Sequence, residues 1–575
     1  MQDKNHQWTD FIVQSPYEIM CNIVSNLDND SAARCLDVCR IWRHKLLDCP
    51  DPWKFMTIDD TVENDTWERH KIMRLLPKIL SKHVEKLRVV TLSKHVNQEI
   101  SLIETGDFYN LKSLVFEYND GNPFLNLTGS IYSALPHIAH SLTELILDFQ
   151  AFTDISFDHL LSICQKLESI KLSVRSVTTA ATELLPKIRP SEEQHVLSSH
   201  LRRFELSSHY PVHVSSIKSL LYRAPHLHSL ILRCLFDNED NDILSALENH
   251  CPDLMEFKTG YLDLSYENII HTNTTDTTTI STETEEISLY NNANSITNNT
   301  LQFLEISEVR TTIPLSSRLA RSCNSLRVLG LNMDPDGSRH SDINDWRPLS
   351  SFIMSNLSIL YIRNGCRTFY EHLPLILQRC PSLKSLEIEN YQEFNVGFEL
   401  DEAIRDGLFD SIAGLDKLTR LRLRNFGIHG QGFKRLLESH HYHTIRTVQQ
   451  QQTQHCISDK SLRLEDLQIY YCEGMDDSVL ELIGTISSLR SLTILCNNTD
   501  QIHTSIVARF AQSISENVRH LLYLELCGLV LTKEAVQSIT ECKNLNTLHL
   551  RAIAGLTLGH VELLRKHISN VYIEN

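Results

Sequence analysis

Arg420, Arg422 and Arg424 occupy alternate positions of one short run, Leu418-Thr-Arg-Leu421-Arg-Leu423-Arg424. Alternate residues of a strand project from one face, so this spacing would present three guanidiniums together. A guanidinium binds carboxylate and phosphate through a rigid fork, which makes capture of an acidic or phosphorylated segment the chemistry on offer. Neighbouring runs carry Ser385, Glu387 and Glu389 on one side and Asp466, Gln468 and Tyr470 on the other, with Tyr361 and Arg363 one run further. The rival arrangement pairs Glu387 and Glu389 with the arginines across the sheet, and it is favoured because the acids stand on the adjacent strand. Tyr361, Arg363, Arg420, Arg422, Arg424 and Tyr470 form the candidate substrate-binding set. Covalent chemistry has little to draw on. The cluster Ser439-His440-His441-Tyr442-His443 has no cysteine or carboxylate set at metal-ligand spacing. A glycine-rich phosphate loop, a Gly-x-Ser-x-Gly elbow and a His-Glu-x-x-His helix are all missing from the sequence. No catalytic residue, metal or cofactor is therefore expected.

The elements that would position these side chains come from a repeat. A leucine, two variable residues, a leucine, one variable residue and an aliphatic recur from residue 84 onward. Examples are Leu111-Lys-Ser-Leu114-Val-Phe116, Leu326-Arg-Val-Leu329-Gly-Leu331 and Leu545-Asn-Thr-Leu548-His-Leu550. The first positions are Val84, Leu111, Leu142, Leu167, Leu201, Leu227, Leu254, Leu301, Leu326, Leu357, Leu383, Leu418, Leu464, Leu489, Leu521, Leu545 and Ile568. Two intervals are longer than the rest, and they hold the only low-complexity stretches, 272–300 and 440–459, which read as polar insertions. Each phrase predicts a short strand, and the residues after it a helix, as in Asp477–Ile483 with Leu480 and Ile483 on one stripe. The expected fold is α/β: stacked βα units forming a horseshoe with a parallel inner sheet and outer helices. A partner protein would then bind on the concave sheet.

Composition narrows the class. A net charge of −18 excludes a generally basic nucleic-acid-binding surface. No apolar run approaches the roughly 20 residues needed to span a bilayer. The start, Met1-Gln-Asp-Lys-Asn-His, lacks a signal-peptide layout. Cys164, Cys251, Cys323, Cys380 and Cys542 each precede the first position of a phrase by three residues. A disulfide framework would not favour one repeat position, whereas a small buried hydrophobe at a helix end would. Reduced core cysteines and a cytoplasmic or nuclear location are expected.

The array resembles the cysteine-containing leucine-rich repeats, most closely at Leu464-Glu-Asp-Leu467-Gln-Ile469-Tyr-Tyr-Cys472. Ahead of it, residues 11–58 read as three short helices, followed by a helical connector over 59–83 and the repeats over 84–575. Ser15-Pro16-Tyr17-Glu18 predicts a serine-capped helix start, and Ile19, Ile23 and Leu27 one apolar stripe. This module resembles the F-box: Pro16, Glu18, Ile19, Ile23, Leu27, Leu36, Val38, Cys39, Arg40, Trp42 and Trp53 stand in that family's register. Ser15 departs from it, where leucine is usual, and removes one apolar contact. The resemblance implies docking on a Skp-type adaptor, and through it on a cullin-RING ligase, by Pro16, Ile19, Ile23, Leu27, Leu36, Val38, Cys39 and Trp42. A module this small must use its apolar residues both for its core and for docking, so Ile19, Leu36 and Trp42 could serve either purpose. The implied function is the non-catalytic substrate-recognition subunit of an SCF-type ubiquitin ligase. The alternative is a non-degradative interaction scaffold.

Overall fold

The computed structural model describes residues 14–574 except 60–79, 119–126, 150–156, 175–199, 235–242, 260–299, 310–322, 334–348, 391–399, 439–463, 497–503 and shorter gaps. Most of the expected connector, nearly all of the insertion at 272–300, the insertion at 440–459 and the histidine cluster therefore lie outside the described residues. The chain divides into two compact units, Met1–Tyr261 and Leu262–Asn575.

The first unit opens with helices α1 (Tyr17–Val24), α2 (Asn29–Cys35) and α3 (Arg40–Asp48), then a 3-10 turn at Asp51–Trp53. Strand β1 (Phe55–Asp59) follows, and after it β2 (Lys86–Thr91), α4 (Val96–Thr105), β3 (Ser113–Tyr118), α5 (Leu127–Ile138), β4 (Glu144–Phe149) and α6 (Phe157–Ile163). Then come β5 (Ser169–Val174), β6 (Arg203–Ser208), α7 (Val214–Arg223), β7 (Ser229–Arg233), α8 (Ile243–His250) and β8 (Glu256–Thr259). The strands pair in chain order, all parallel.

The second unit starts with β9 (Phe303–Val309), β10 (Val328–Met333), β11 (Ile359–Arg363), α9 (Arg367–Gln378), β12 (Ser385–Glu389), α10 (Glu402–Ala413), β13 (Arg420–Arg424) and β14 (Asp466–Tyr470). It continues with α11 (Asp477–Ile483), β15 (Ser491–Leu495), α12 (Thr504–Asn517), β16 (Tyr523–Cys527), α13 (Lys533–Thr540), β17 (Thr547–Arg551), α14 (Leu558–His567) and β18 (Asn570–Glu574). These strands are also parallel and paired in chain order.

Every expected phrase carries a strand, and each strand begins two residues after the phrase's first position. The reason is visible at Leu418, Leu421 and Leu423, which are all buried, while Arg420, Arg422 and Arg424 stay partly or fully accessible on the other face. Burying one such leucine is worth roughly 1.5–3 kcal/mol. A single unit cannot cover its own leucines, so the gain appears only when neighbours stack. The face opposite the leucines is called the open face below.

Strand β1 is not foreseen by the leucine pattern, and its sequence explains why. Trp53-Lys-Phe-Met56-Thr-Ile58 is the same phrase with tryptophan and methionine in the leucine places, and all three apolar side chains are buried. Glu85 and Lys86 donate their backbone N–H groups to Lys54 O, as Lys112 and Ser113 do to Glu85 O one unit later. Trp53 Nε1 donates to Leu46 O at 2.9 Å, which ties α3 to the sheet. The N-terminal helices are thus continuous with the repeat of the first unit.

The helix start also differs from expectation. Pro16, not Ser15, occupies the N-cap of α1, with ψ of 146° and no side-chain cap. A proline cannot donate an N–H and holds φ near −65°, so it serves at this boundary without a capping hydroxyl.

The repeat-position cysteines Cys164, Cys251, Cys323, Cys380 and Cys542 are buried free thiols. Cys164, Cys251, Cys380 and Cys542 sit where a helix returns to the sheet: Cys380 Sγ donates to Ile376 O at 3.1 Å, and Cys251 Sγ to Ala224 O at 3.5 Å. Burial pushes the thiols of Cys164, Cys251 and Cys380 up to about 12. Among the described residues no helix is long and apolar enough to cross a membrane.

Candidate functional site

Two surfaces collect the residues singled out by sequence. The first is the N-terminal module. Its core consists of Met20, Cys21, Val24, Ala32, Leu36, Leu46, Cys49 and Trp53. Ile19 and Ile23, one helical turn apart on α1, point out of that core at 51% and 41% exposure. Val38 and Ile41, around the start of α3, are 59% and 50% exposed. Pro16 is exposed, while Leu27, Cys39 and Trp42 are half-buried.

Leu36 is buried among the module's core residues, the first of the two purposes open to it from sequence. The apolar stripe beginning at Ile19 is an outward one, because Met20, Cys21 and Val24 already fill the inner side of α1. Two further exposed residues were missed, Tyr17 and Ile41. Tyr17 falls at the helix start, where periodicity gives no facing, and its hydroxyl donates to Asp48 O at 2.9 Å. Cys39 is the N-cap of α3 and accepts from Trp42 N–H.

Five of the fourteen exposed large hydrophobics among the described residues fall between Tyr17 and Ile41. That density, in so short a stretch, is what a docking face requires, since isolated exposed apolar residues are common on any surface.

The second surface is the open face of the second unit. Register places Glu387 beside Arg422 and Glu389 beside Arg424. Arg422 Nη1 lies 3.1 Å from Glu387 Oε1, and Arg424 Nη1 lies 2.7 Å from Glu389 Oε1. Glu389 also faces Arg363 Nε at 3.3 Å, and Arg420 Nε donates to Asp466 Oδ2 at 2.8 Å. The arginine row is therefore committed to carboxylates on both neighbouring strands. Arg422 additionally lies over the Tyr470 ring, 4.9 Å from its centre, and burial raises the Tyr470 hydroxyl above its ordinary value. All six candidate residues share this face, and the sheet brings Arg363 and the β13 arginines into one charge-paired network with Glu387, Glu389 and Asp466. The first unit pairs its open-face charges in the same way, as in Arg88 with Glu117 and Lys171 with Glu205, each at 3.0 Å.

An open concavity of about 270 Å³ lies at the other end of this row, bounded by Phe303, Glu305, Gly330, Tyr361 and the paired Glu387 and Arg422. Periodicity could not reveal it, because its floor is a missing side chain. The only trace in the sequence is the glycine inside Leu329-Gly330-Leu331. Near the last strands, Tyr523, His549 and Tyr572 form an aromatic row, with His549 stacked on Tyr572 at 4.4 Å between ring centres. Among the described residues no group of histidine, cysteine and acidic side chains could hold a metal ion.

Seventeen phrase-borne strands, parallel pairing in chain order and leucines buried on one face define the fold of a leucine-rich-repeat protein. Solved structures similar to this chain include an internalin (inlF) from Listeria monocytogenes, with 15% identity, a TM-score of 0.35, and coverage of 80% of this chain and 89% of that one. A TLR13–ssRNA13 complex matches at 15% identity with a TM-score of 0.38, covering 82% of this chain and 61% of that one. No protein-family model matches the chain, and no curated protein matches it.

Proposed function

We propose that this chain is the substrate-recognition subunit of an SCF-type ubiquitin ligase. The N-terminal module docks on a Skp-type adaptor, the adaptor joins it to a cullin-RING scaffold, and the open face of the repeats holds a protein to be ubiquitinated. The chain makes no bonds itself; it raises the effective concentration of its cargo near the charged conjugating enzyme. The observation that carries the reading is the outward apolar set Ile19, Ile23, Val38 and Ile41 on a module whose core is filled by other residues. The resemblance of Pro16 through Trp53 to the F-box supplies the adaptor's identity. The module's mount supports the same reading, because the buried Trp53, just ahead of β1, donates to Leu46 O in α3. A cytoplasmic or nuclear location belongs to this reading, and the free, buried repeat cysteines support it.

Calorimetric titration of a Skp-type adaptor into the full chain tests the docking step. Ile19→Asp combined with Val38→Asp should weaken binding by at least about a hundredfold, since central apolar contacts are worth about 2 kcal/mol or more each. Both side chains are exposed, so the far-ultraviolet spectrum and melting temperature should not move. Equal affinity of variant and wild type would remove the proposed docking face.

A further inference from the structure

We infer that the gap over Gly330 receives an arginine side chain of the protein partner, its guanidinium stacked on Tyr361 and donating a fork of hydrogen bonds to Glu305. This rests on the reading of the open face as the cargo-binding surface, and it names what the cargo must present.

Three strands build the gap. Gly330 on β10 is in register with Glu305 on β9 and with Tyr361 on β11, so the three form one row across the open face. Adjacent strands lie about 4.8 Å apart, which puts the Glu305 and Tyr361 backbones about 10 Å from each other, with no side chain rising from Gly330 and the Glu305 stem leaning over it. That spacing admits one flat group between a carboxylate and an aromatic ring. Glycine keeps it open: a Cβ at position 330 would come within 3.0 Å of Glu305 Cγ. A glycine inside a strand weakens the strand, so its presence here fits a site where another group approaches closely.

Charge bookkeeping selects the ligand. The nearby arginines are committed, Arg363 to Glu389 and Arg422 to Glu387. Among the described residues the Glu305 carboxylate has no ion pair or hydrogen bond, and the Tyr361 hydroxyl has none either. Arg363 and Arg422 line the gap together with Glu305 and Glu387, and both guanidiniums already face carboxylates. The group left without a counterion among the described residues is Glu305, which a cation with several donors would satisfy. Arginine satisfies both walls at once, because its planar group stacks on an aromatic face while its fork matches a carboxylate. Lysine supplies only the charge. This chemistry is the opposite of the acidic or phosphorylated segment that the arginine row alone predicts.

Saturation-transfer NMR on the full chain, with N-acetyl-arginine N-methylamide as the probe, tests the inference. Transfer to the arginine side-chain protons is expected with wild type. The neutral citrulline and the phosphoserine counterparts should bind at least about tenfold more weakly, the loss that follows from removing one charged hydrogen-bonded contact. Glu305→Gln and Gly330→Ala should each reduce the arginine signal to a similar extent. Glu305 is half-buried and has no partner among the described residues, so E305Q keeps the test decisive if the glycine variant misfolds. Absence of transfer from the arginine probe, an unchanged signal in E305Q, or preference for the phosphoserine probe would overturn the assignment. Adaptor titration into the same samples separates the two readings. Arginine capture without adaptor binding would leave the gap standing and remove the ligase reading; adaptor binding without arginine capture would do the reverse.

Discussion

Single residues decide whether the open face is a charge trap or a balanced network. Glu389 has a side chain only 3% exposed and holds two guanidiniums, those of Arg363 and Arg424. Glu389→Gln leaves both cations facing a neutral amide, and it should destabilise the fold by about 2–4 kcal/mol, measured by urea unfolding. Glu574→Gln, whose parent is exposed beside Arg551, should change stability by less than about 1 kcal/mol. Backbone conformation is equally local. Asn364, Asn425, Tyr471, Gly528 and Ala552 each follow the last residue of a strand and share a positive φ. Their N–H groups donate to the neighbouring strand's last carbonyl, as Asn425 does to Tyr470 O at 2.8 Å. At Gly528 a Cβ would run into Cys496 O, so Gly528→Ala should cost about 1–3 kcal/mol in the same unfolding assay. At Ala552 the left-handed turn is occupied by an L side chain, and Ala552→Gly should be neutral or stabilising by up to about 1 kcal/mol.

At the scale of elements, the helix-return cysteines make a pH prediction. Burial raises the thiols of Cys164, Cys251 and Cys380 from the ordinary 9.0 to about 12 in the folded chain. Between those values the folded state keeps protons that the unfolded state releases, so stability must fall as pH rises through that window. The contribution is complete below pH 9 and lost by about pH 12. Melting temperature should therefore decline above pH 9, and the decline should be shallower in Cys380→Ala. Legibility also varied by element. Seventeen strands could be read directly because a buried leucine at fixed spacing is a signal that every copy repeats. Strand β1 was hidden because Trp53 and Met56 replace the leucines, although the positions are identical. Facing was harder than existence: in sequence an apolar stripe such as Ile19, Ile23 and Leu27 could serve core or docking, and the packing of Met20, Cys21 and Val24 turns Ile19 and Ile23 outward. The gap at Gly330 was beyond any pattern, because it depends on three strands meeting in register.

For the whole molecule, the proposed function asks the chain to carry a partner on one surface while being carried by another. In that reading the module's mount matters because Trp53 ties the docking helices to the first unit's sheet. Trp53→Ala should therefore lower the stability of the first unit by about 3–5 kcal/mol, read by hydrogen exchange across both α3 and β2. The most direct test of the ligase reading is affinity purification of the tagged full chain from cells with the proteasome blocked, wild type beside Ile19→Asp/Val38→Asp. Wild type should recover a Skp-type adaptor and a cullin in comparable amounts. The variant should lose both while retaining the proteins bound to its repeats. Equal recovery of adaptor and cullin by the variant, or their absence from the wild-type sample, would contradict it.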